Sequence, residues 1–202
     1  KLIINLADKV MVNSFDFKKT MKKKFGINAT VIYNPLNKNE IIIKSKYKLK
    51  NIFPKKSLKI INIGRYVDQK DQITLLKSLA ILRNKIDFYL IFLGRGILKN
   101  KLEKYSKLNN LQNKVKFINF KKNPYPYIKQ ADLFILTSKY EGLPNVLLEA
   151  ITLKKFIISS NCPTGPREIL LNGKGGGLFD IGDAKNLARK IMFYYKNKKK
   201  FN

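Results

Sequence analysis

From residue 58 onward the chain alternates short runs of β-branched and aromatic residues with stretches of helical periodicity. That alternation restricts it to repeated βαβ units around a parallel sheet. The strand candidates are Lys59–Gly64, Phe88–Gly94, Lys114–Phe120, Asp132–Thr137, Lys155–Ser160 and a short Gly177–Asp180. Between them, Gln72–Leu82 carries Ile73, Leu76, Leu79, Ala80 and Ile81 at near-helical spacing, and Val146–Leu153 is richly apolar, as a helix packed on a sheet should be. Gly173–Gly177 reads as a turn before the last strand, and Lys196–Lys200 as a solvated or frayed end.

Residues 1–50 follow a different rhythm. A strand is expected at Lys9–Val12 and a helix from about Ser14 to Phe25, followed by Thr30–Pro35, in which Asn34-Pro35 signals a turn. Asn37–Phe53 is polar and lysine-rich, without clear periodicity. This pattern predicts two parts: residues 1–50 as the end of one domain plus a crossover, and residues 51–202 as a second domain. The 202 residues suit one large domain, or one domain and part of another. The chain starts at Lys1, and Leu2–Leu6 is too short for the core of a signal peptide, so a fragment of a longer protein is expected. The longest apolar run, Phe88–Leu93, falls far short of the roughly 20 residues of a membrane-spanning helix and suits a buried strand.

Composition removes several chemistries. Histidine is absent and Cys162 is the single cysteine, which excludes within this chain a Ser-His-Asp triad, a Cys-His pair, a His-ligated catalytic metal and an internal disulfide. The 42 Lys and Arg against 13 Asp and Glu give a net charge of +29, a field that attracts nucleic acid, anionic lipid or phosphorylated ligands. Only Arg65, Arg83, Arg95, Arg167 and Arg189 are arginines, whereas nucleic-acid readers favour Arg for bidentate contacts. The lysines are spread along the whole chain, so a polyanion-binding surface and a bias in codon usage both stay open as explanations.

Ligands of open parallel sheets bind beyond the carboxyl ends of the strands, which singles out three loops. The first is Gly64-Arg65-Tyr66-Val67-Asp68-Gln69-Lys70. Gly64 permits a tight strand exit, and Arg65 and Lys70 flank the start of the next helix, where two cations suit a diphosphate. The second runs Ser138-Lys-Tyr-Glu141-Gly142-Leu143-Pro144-Asn145 into a helix holding Glu149. Glu149 lies among Leu147, Leu148, Ala150 and Ile151, where a carboxylate needs a partner such as the vicinal hydroxyls of a ribose. The third, Ser159–Leu170, is stiffened by two prolines and a glycine and projects Thr164 and Arg167. Gly94-Arg-Gly96 is not a complete dinucleotide fingerprint, and Gly173-Lys174 lacks the hydroxyl residue of a P-loop. Cys162, without a histidine partner, is a poor candidate nucleophile.

In order, these loops resemble the retaining, nucleotide-sugar-dependent glycosyltransferases of family four, built as two facing Rossmann-like domains (the GT-B fold). The resemblance rests on Ile63-Gly-Arg65…Gln69-Lys70, Leu93-Gly-Arg-Gly96, Ala131-Asp132…Thr137, Gly177-Leu-Phe…Gly182-Asp183 and above all two glutamates eight positions apart around Gly-Leu-Pro-Asn. It covers roughly residues 58–195, the donor-binding half, and Ala7–Ser14 with Val31–Pro35 looks like the end of the acceptor half. It implies an α/β fold with a doubly wound, mainly parallel Rossmann-like sheet. It implies that Arg65 and Lys70, above Gly64, bind the donor diphosphate and stabilise the charge growing on it. Glu149 would hold the ribose and Glu141 the donor sugar. Backbone N–H groups around Gly142, Leu143 and Asn145 would meet phosphate and sugar, while Pro144 has none to give. Asn119-Phe120-Lys121 would hold the base, largely through backbone groups. No metal and no cofactor are implied beyond a UDP-sugar as donor substrate.

The implied acceptor is a glycan or a polyprenol-linked sugar, reached through the amino-terminal half. The implied location is the cytoplasm, with peripheral contact to the inner face of an anionic membrane, and no specific nucleic acid is expected. The sequence departs from the family at Asp71, where a glycine is usual beside the diphosphate, and in the longer loop Asn161–Glu168, whose form resembles bacterial makers of lipid-linked or surface polysaccharides. A noncatalytic nucleotide-sugar module and a basic nucleic-acid-binding domain are the alternatives.

Overall fold

The computed structural model describes residues 7–201, so the Leu2–Leu6 run lies outside the described residues. The first strand, β1 (Met11–Val12), leads into α1 (Phe15–Phe25), and β2 (Thr30–Val31) returns parallel to β1. Ser14 caps α1 by accepting from the Phe17 N–H at 3.2 Å, and Gly26 ends it in the left-handed region at φ 73°. Val12, Met21 and Ala29 form the small buried core of this unit.

The larger unit is a six-stranded sheet of β3 (Leu58–Ile63), β4 (Phe88–Leu93), β5 (Val115–Ile118), β6 (Leu133–Leu136), β7 (Phe156–Ser160) and β8 (Gly177–Phe179). Every pairing is parallel and the order is β5-β4-β3-β6-β7-β8, the arrangement of a doubly wound dinucleotide-type sheet. The intervening helices are α3 (Gln72–Leu82), α4 (Lys99–Leu108), α5 (Tyr125–Gln130), α6 (Asn145–Thr152), α7 (Pro166–Ile169) and α8 (Ala184–Phe201).

Both faces of the sheet are covered, which is why its strands read as continuous apolar runs. Alternate residues feed two cores. Ile60, Leu90, Phe92 and Ile135 pack with Leu76 and Leu79 of α3 and Ile191 and Tyr194 of α8. Ile61, Ile91, Phe134 and Ile157 pack with Ile128 of α5 and Leu147 and Ala150 of α6.

Two expectations need correction. Within the supposed connection Asn37–Phe53, Lys38–Ser45 is a helix, α2, packed against α5 and α6. Its Ile41 is buried while Ile42 and Ile43 face outward, so no apolar stripe marks it. Gln130 then fastens the following segment by accepting from the Ile52 N–H at 3.1 Å and donating to the Leu49 carbonyl at 3.1 Å. The lysine run Lys196–Lys200 is solvated as expected, with Lys196, Lys199 and Lys200 exposed, but it is not frayed. It is the last part of α8, held by Lys198 on Asp132 at 2.8 Å and by the Phe201 ring 4.5 Å from that of Phe156.

Candidate functional site

β3 and β6 are neighbours, and the chain leaves them toward opposite sides of the sheet. The crevice beyond their carboxyl ends is where such sheets bind ligands. Residues 64–71 and 137–144 occupy it and are laced together. The Lys139 N–H donates to the Gln69 carbonyl at 2.8 Å, Gln69 Nε2 to the Tyr140 carbonyl at 3.0 Å, and Thr137 Oγ1 to the Lys70 carbonyl at 2.7 Å. Lys139 also pairs with Asp68 at 2.7 Å.

At the centre, Lys70 Nζ lies 2.6 Å from Glu141 Oε1, with side-chain exposures of 18% and 8%. Ser138 Oγ donates to the same oxygen at 2.6 Å, and the Thr164 hydroxyl donates to the Glu141 carbonyl. Ser160 Oγ supports Ser138 by donating to its carbonyl at 2.6 Å. Glu141 is thus fixed from three strand ends, a degree of constraint that catalytic geometry requires. Lys70 spends one of its three N–H donors on Glu141 and keeps two.

Arg65 is exposed, and its guanidinium has no ion-pair partner among the described residues. Its carbonyl is held by Gln72 Nε2 at 2.8 Å, from a side chain that is buried at the start of α3. Phe120, after β5, is exposed, with the Arg95 guanidinium 5.6 Å from its ring centre. Leu143 is buried; Asn145 uses its side-chain oxygen to accept from Asn34 Nδ2 at 2.9 Å.

The start of α3 lies beside Lys70. Asp71 occupies it in the left-handed region at φ 44°, its carboxylate buried and accepting from Thr74 Oγ1 at 2.7 Å. The acidic departure from the family pattern therefore faces into α3, and burial raises its pKa, opposed by that hydrogen bond.

The glycine that the crossing of loops demands is Gly94, not Gly64. A Cβ on Gly94 would lie 1.9 Å from the Gly64 oxygen, whereas one on Gly64 would sit at an ordinary 3.6 Å from Lys70 Cδ. Gly94→Ala is expected to cost more than about 3 kcal/mol, beyond ordinary overpacking, and Gly64→Ala less than about 1 kcal/mol, as chemical denaturation of the two variants would show. Gly165, at φ 85°, is similarly required, because a Cβ there would meet the Gly142 oxygen at 2.2 Å.

Glu149 is half-buried on α6 with no hydrogen-bond or ion-pair partner for its carboxylate among the described residues. Burial alone raises its pKa. An acid whose folded pKa lies above its unfolded value destabilises the fold once ionised, so stability falls as pH rises from below its ordinary value through the raised one. Glu149→Gln should therefore raise Tm at neutral pH and flatten that acid limb, while weakening any ligand that donates hydrogen bonds to the carboxylate. Thermal melts across pH would check it.

Ser138, Gln72, Arg95 and Glu168 were not assigned roles from sequence. Glu168 joins the two units alongside the Asn34–Asn145 bond: it accepts from the Phe15 and Asp16 N–H groups at 3.2 Å each and from the Tyr33 hydroxyl at 2.5 Å. Its only sequence signal is its place in the loop Asn161–Glu168. Cys162 is buried, which pushes its thiol up to about 11 and leaves it a poor nucleophile.

The family model for glycosyl transferases group 1 matches residues 43–202, and the chain belongs to that family. It is 45% identical to an uncharacterized glycosyltransferase of Methanocaldococcus jannaschii over 122 residues, 60% of this chain and 30% of that protein. It is 28% identical over 216 residues to a Campylobacter jejuni N-acetylgalactosaminyltransferase named for N-acetylgalactosamine-N,N'-diacetylbacillosaminyl-diphospho-undecaprenol, covering 99% of this chain and 58% of that one. The chain therefore spans from under a third to somewhat over half of these relatives. Among solved structures, Anabaena HepE in complex with UDP and glucose superposes with a TM-score of 0.84 at 22% identity, over 99% of this chain and 58% of HepE. The GT-B glycosyltransferase fold expected from sequence is thereby established.

Proposed function

We propose that the chain is the donor-binding part of a retaining glycosyltransferase that takes a UDP-sugar and passes a hexose or N-acetylhexosamine to a glycan or polyprenol-linked acceptor. The observation that carries this is the Lys70–Glu141 pair at the sheet's switch point, with the unpartnered Glu149 carboxylate on the helix that follows. When the sugar–phosphate bond breaks, the electron pair leaves on the diphosphate. Arg65 and the two remaining donors of Lys70 meet that charge, preorganised and without a metal. Glu141, anchored by Ser138, takes the sugar hydroxyls, and Glu149 gains from the ribose the hydrogen bonds it lacks. The exposed Phe120 ring, with Arg95 over it, offers a platform for the base.

Residues 1–50 close the acceptor half and residues 51–202 form the donor domain. The work is done in the cytoplasm, at the inner face of the membrane that holds a polyprenol-linked acceptor. The UDP bound by HepE and the undecaprenol-linked substrate in the Campylobacter enzyme's name support the donor and acceptor classes. Among the described residues no helix is long and apolar enough to cross a membrane, and the contact proposed for this part of the protein is peripheral. A transfer assay of the full-length protein with a panel of UDP-sugars and undecaprenol-linked acceptors tests the proposal. Product with one UDP-sugar, lost in Lys70→Ala, supports it; donor hydrolysis or transfer that ignores Lys70 overturns it.

A further inference from the structure

The carboxyl end of α8 and the start of β3 enclose an open hollow of about 760 Å³ lined by Lys56, Tyr195, Lys196, Lys198, Lys199 and Lys200. No acidic side chain lines it. Three more lysines lie beside it. Asp132, at the foot of β6, accepts from the Lys59 N–H at 3.0 Å and pairs with Lys198 at 2.8 Å, and Lys155 Nζ donates to the Lys129 carbonyl at 2.8 Å. Lys155 is held below the ordinary lysine value by burial first, against the pull of Asp132, and then by the repulsion of Lys129, Lys59 and Lys198. Asp132, the carboxylate beside these lysines, is already engaged by Lys198 and the Lys59 N–H.

The place of the patch matters. Leu58 begins β3 and Gly64 follows its end, so the lysines sit at the amino-terminal edge of the sheet, roughly 20 Å of strand away from the Lys70–Glu141 pair. An anion bound there leaves the donor crevice open. The charge is carried by lysine alone: none of the five arginines lines the hollow, so the forked geometry suited to reading individual phosphates or bases is lacking. Long flexible ammoniums fit a diffuse plane of phosphates better. On the same last turns of α8, Phe193 and Tyr195 are 59% and 42% exposed, aromatic groups of the kind that settle at the headgroup level of a bilayer.

We infer that this lysine face of α8 and the adjoining strand foot is the surface by which the protein docks on anionic phospholipid. This deepens the membrane part of the reading above by naming the surface, and it can be tested without any sugar donor.

The test is flotation of the chain with vesicles of phosphatidylcholine alone and of phosphatidylcholine mixed with phosphatidylglycerol. A triple variant, Lys196→Glu, Lys199→Glu and Lys200→Glu, is compared with a charge-matched triple variant on α4, Lys101→Glu, Lys104→Glu and Lys107→Glu. The expected result is binding to the anionic vesicles only, fading as salt rises. Each lysine near an anionic surface is worth about fivefold in affinity, so the α8 variant should lose at least about a hundredfold and the α4 variant less than about tenfold. UDP titration of all three proteins reports separately on the donor site and on folding, so failure of one claim is not mistaken for failure of the other. Equal losses in both variants would assign the effect to net charge and overturn the inference, as would absence of vesicle binding. Single-stranded RNA bound more tightly than the vesicles, and released by the α8 substitutions, would overturn it in favour of a nucleic-acid surface.

Discussion

Lys70→Ala is expected to lower the stability of the folded chain by about 2–4 kcal/mol and, in the full-length protein, to reduce sugar transfer by a factor of about a hundred to a thousand. The two effects have separable causes. Truncating Lys70 strips Glu141, whose side chain is only 8% exposed, of its counter-charge and leaves it with the Ser138 hydroxyl. A buried charge without its partner is a stability problem. Replacing Glu141 by Gln in the same protein removes that charge, so the double variant Lys70→Ala/Glu141→Gln should recover most of the lost stability. It should recover none of the transfer, because the cation proposed to meet the leaving diphosphate is still gone. Denaturation curves and initial rates for wild type, both single variants and the double variant would check this. Recovery of activity along with stability would mean that the pair is a structural strut.

Glu168→Ala is expected to release the amino-terminal unit. Charged contacts at the surface are each worth up to about 1 kcal/mol, and Glu168 accepts three hydrogen bonds from that unit, two of them solvent-exposed. The unit's own core of Val12, Met21 and Ala29 is too small to hold it in register unaided. Amide exchange at Phe15 and Asp16 should accelerate by up to about a hundredfold, while the strands of the larger sheet keep their protection. The Tyr33 phenol provides a second readout. Its pKa is raised chiefly by its hydrogen bond to Glu168, so it should fall back toward the ordinary value in the variant. Its contribution to stability is complete below that ordinary value and is lost as pH climbs through the raised one. Tyr33→Phe removes one of the three bonds and should show a smaller version of the exchange effect.

The parallel sheet was legible because burial on both faces writes each strand as an unbroken apolar run; β4 is Phe-Tyr-Leu-Ile-Phe-Leu, and α3 matches its expected bounds. The candidate site residues were legible where chemistry left a local mark: two cations in one loop, and a glutamate among leucines. What escaped notice depends on distance in sequence. Lys70 and Glu141 were assigned separate ligands, and only the fold brings loops 71 positions apart to 2.6 Å. Glu168 meets Phe15 across 153 positions, and no periodicity encodes such a contact. α2 was hidden because its three consecutive isoleucines do not form a stripe, and the end of α8 because a lysine run looks solvated whether or not Phe201 anchors it. Asp71 looked misplaced beside a diphosphate until its left-handed backbone turned the carboxylate onto Thr74.

The central claim is that Glu149 and Lys70 form a nucleoside-diphosphate site that works without a metal, with Glu141 beside it for the sugar. Titration calorimetry of the chain with UDP in the presence of a chelator tests it most directly. Saturable binding that survives the chelator is predicted, weakened by about 1.5–3 kcal/mol in Glu149→Ala, through the lost charged hydrogen bonds proposed to the ribose, and not weakened in Glu141→Ala, which frees Lys70 of its counter-charge and whose proposed ligand is the sugar. No binding of UDP, or binding that appears only when magnesium is added, would contradict the claim.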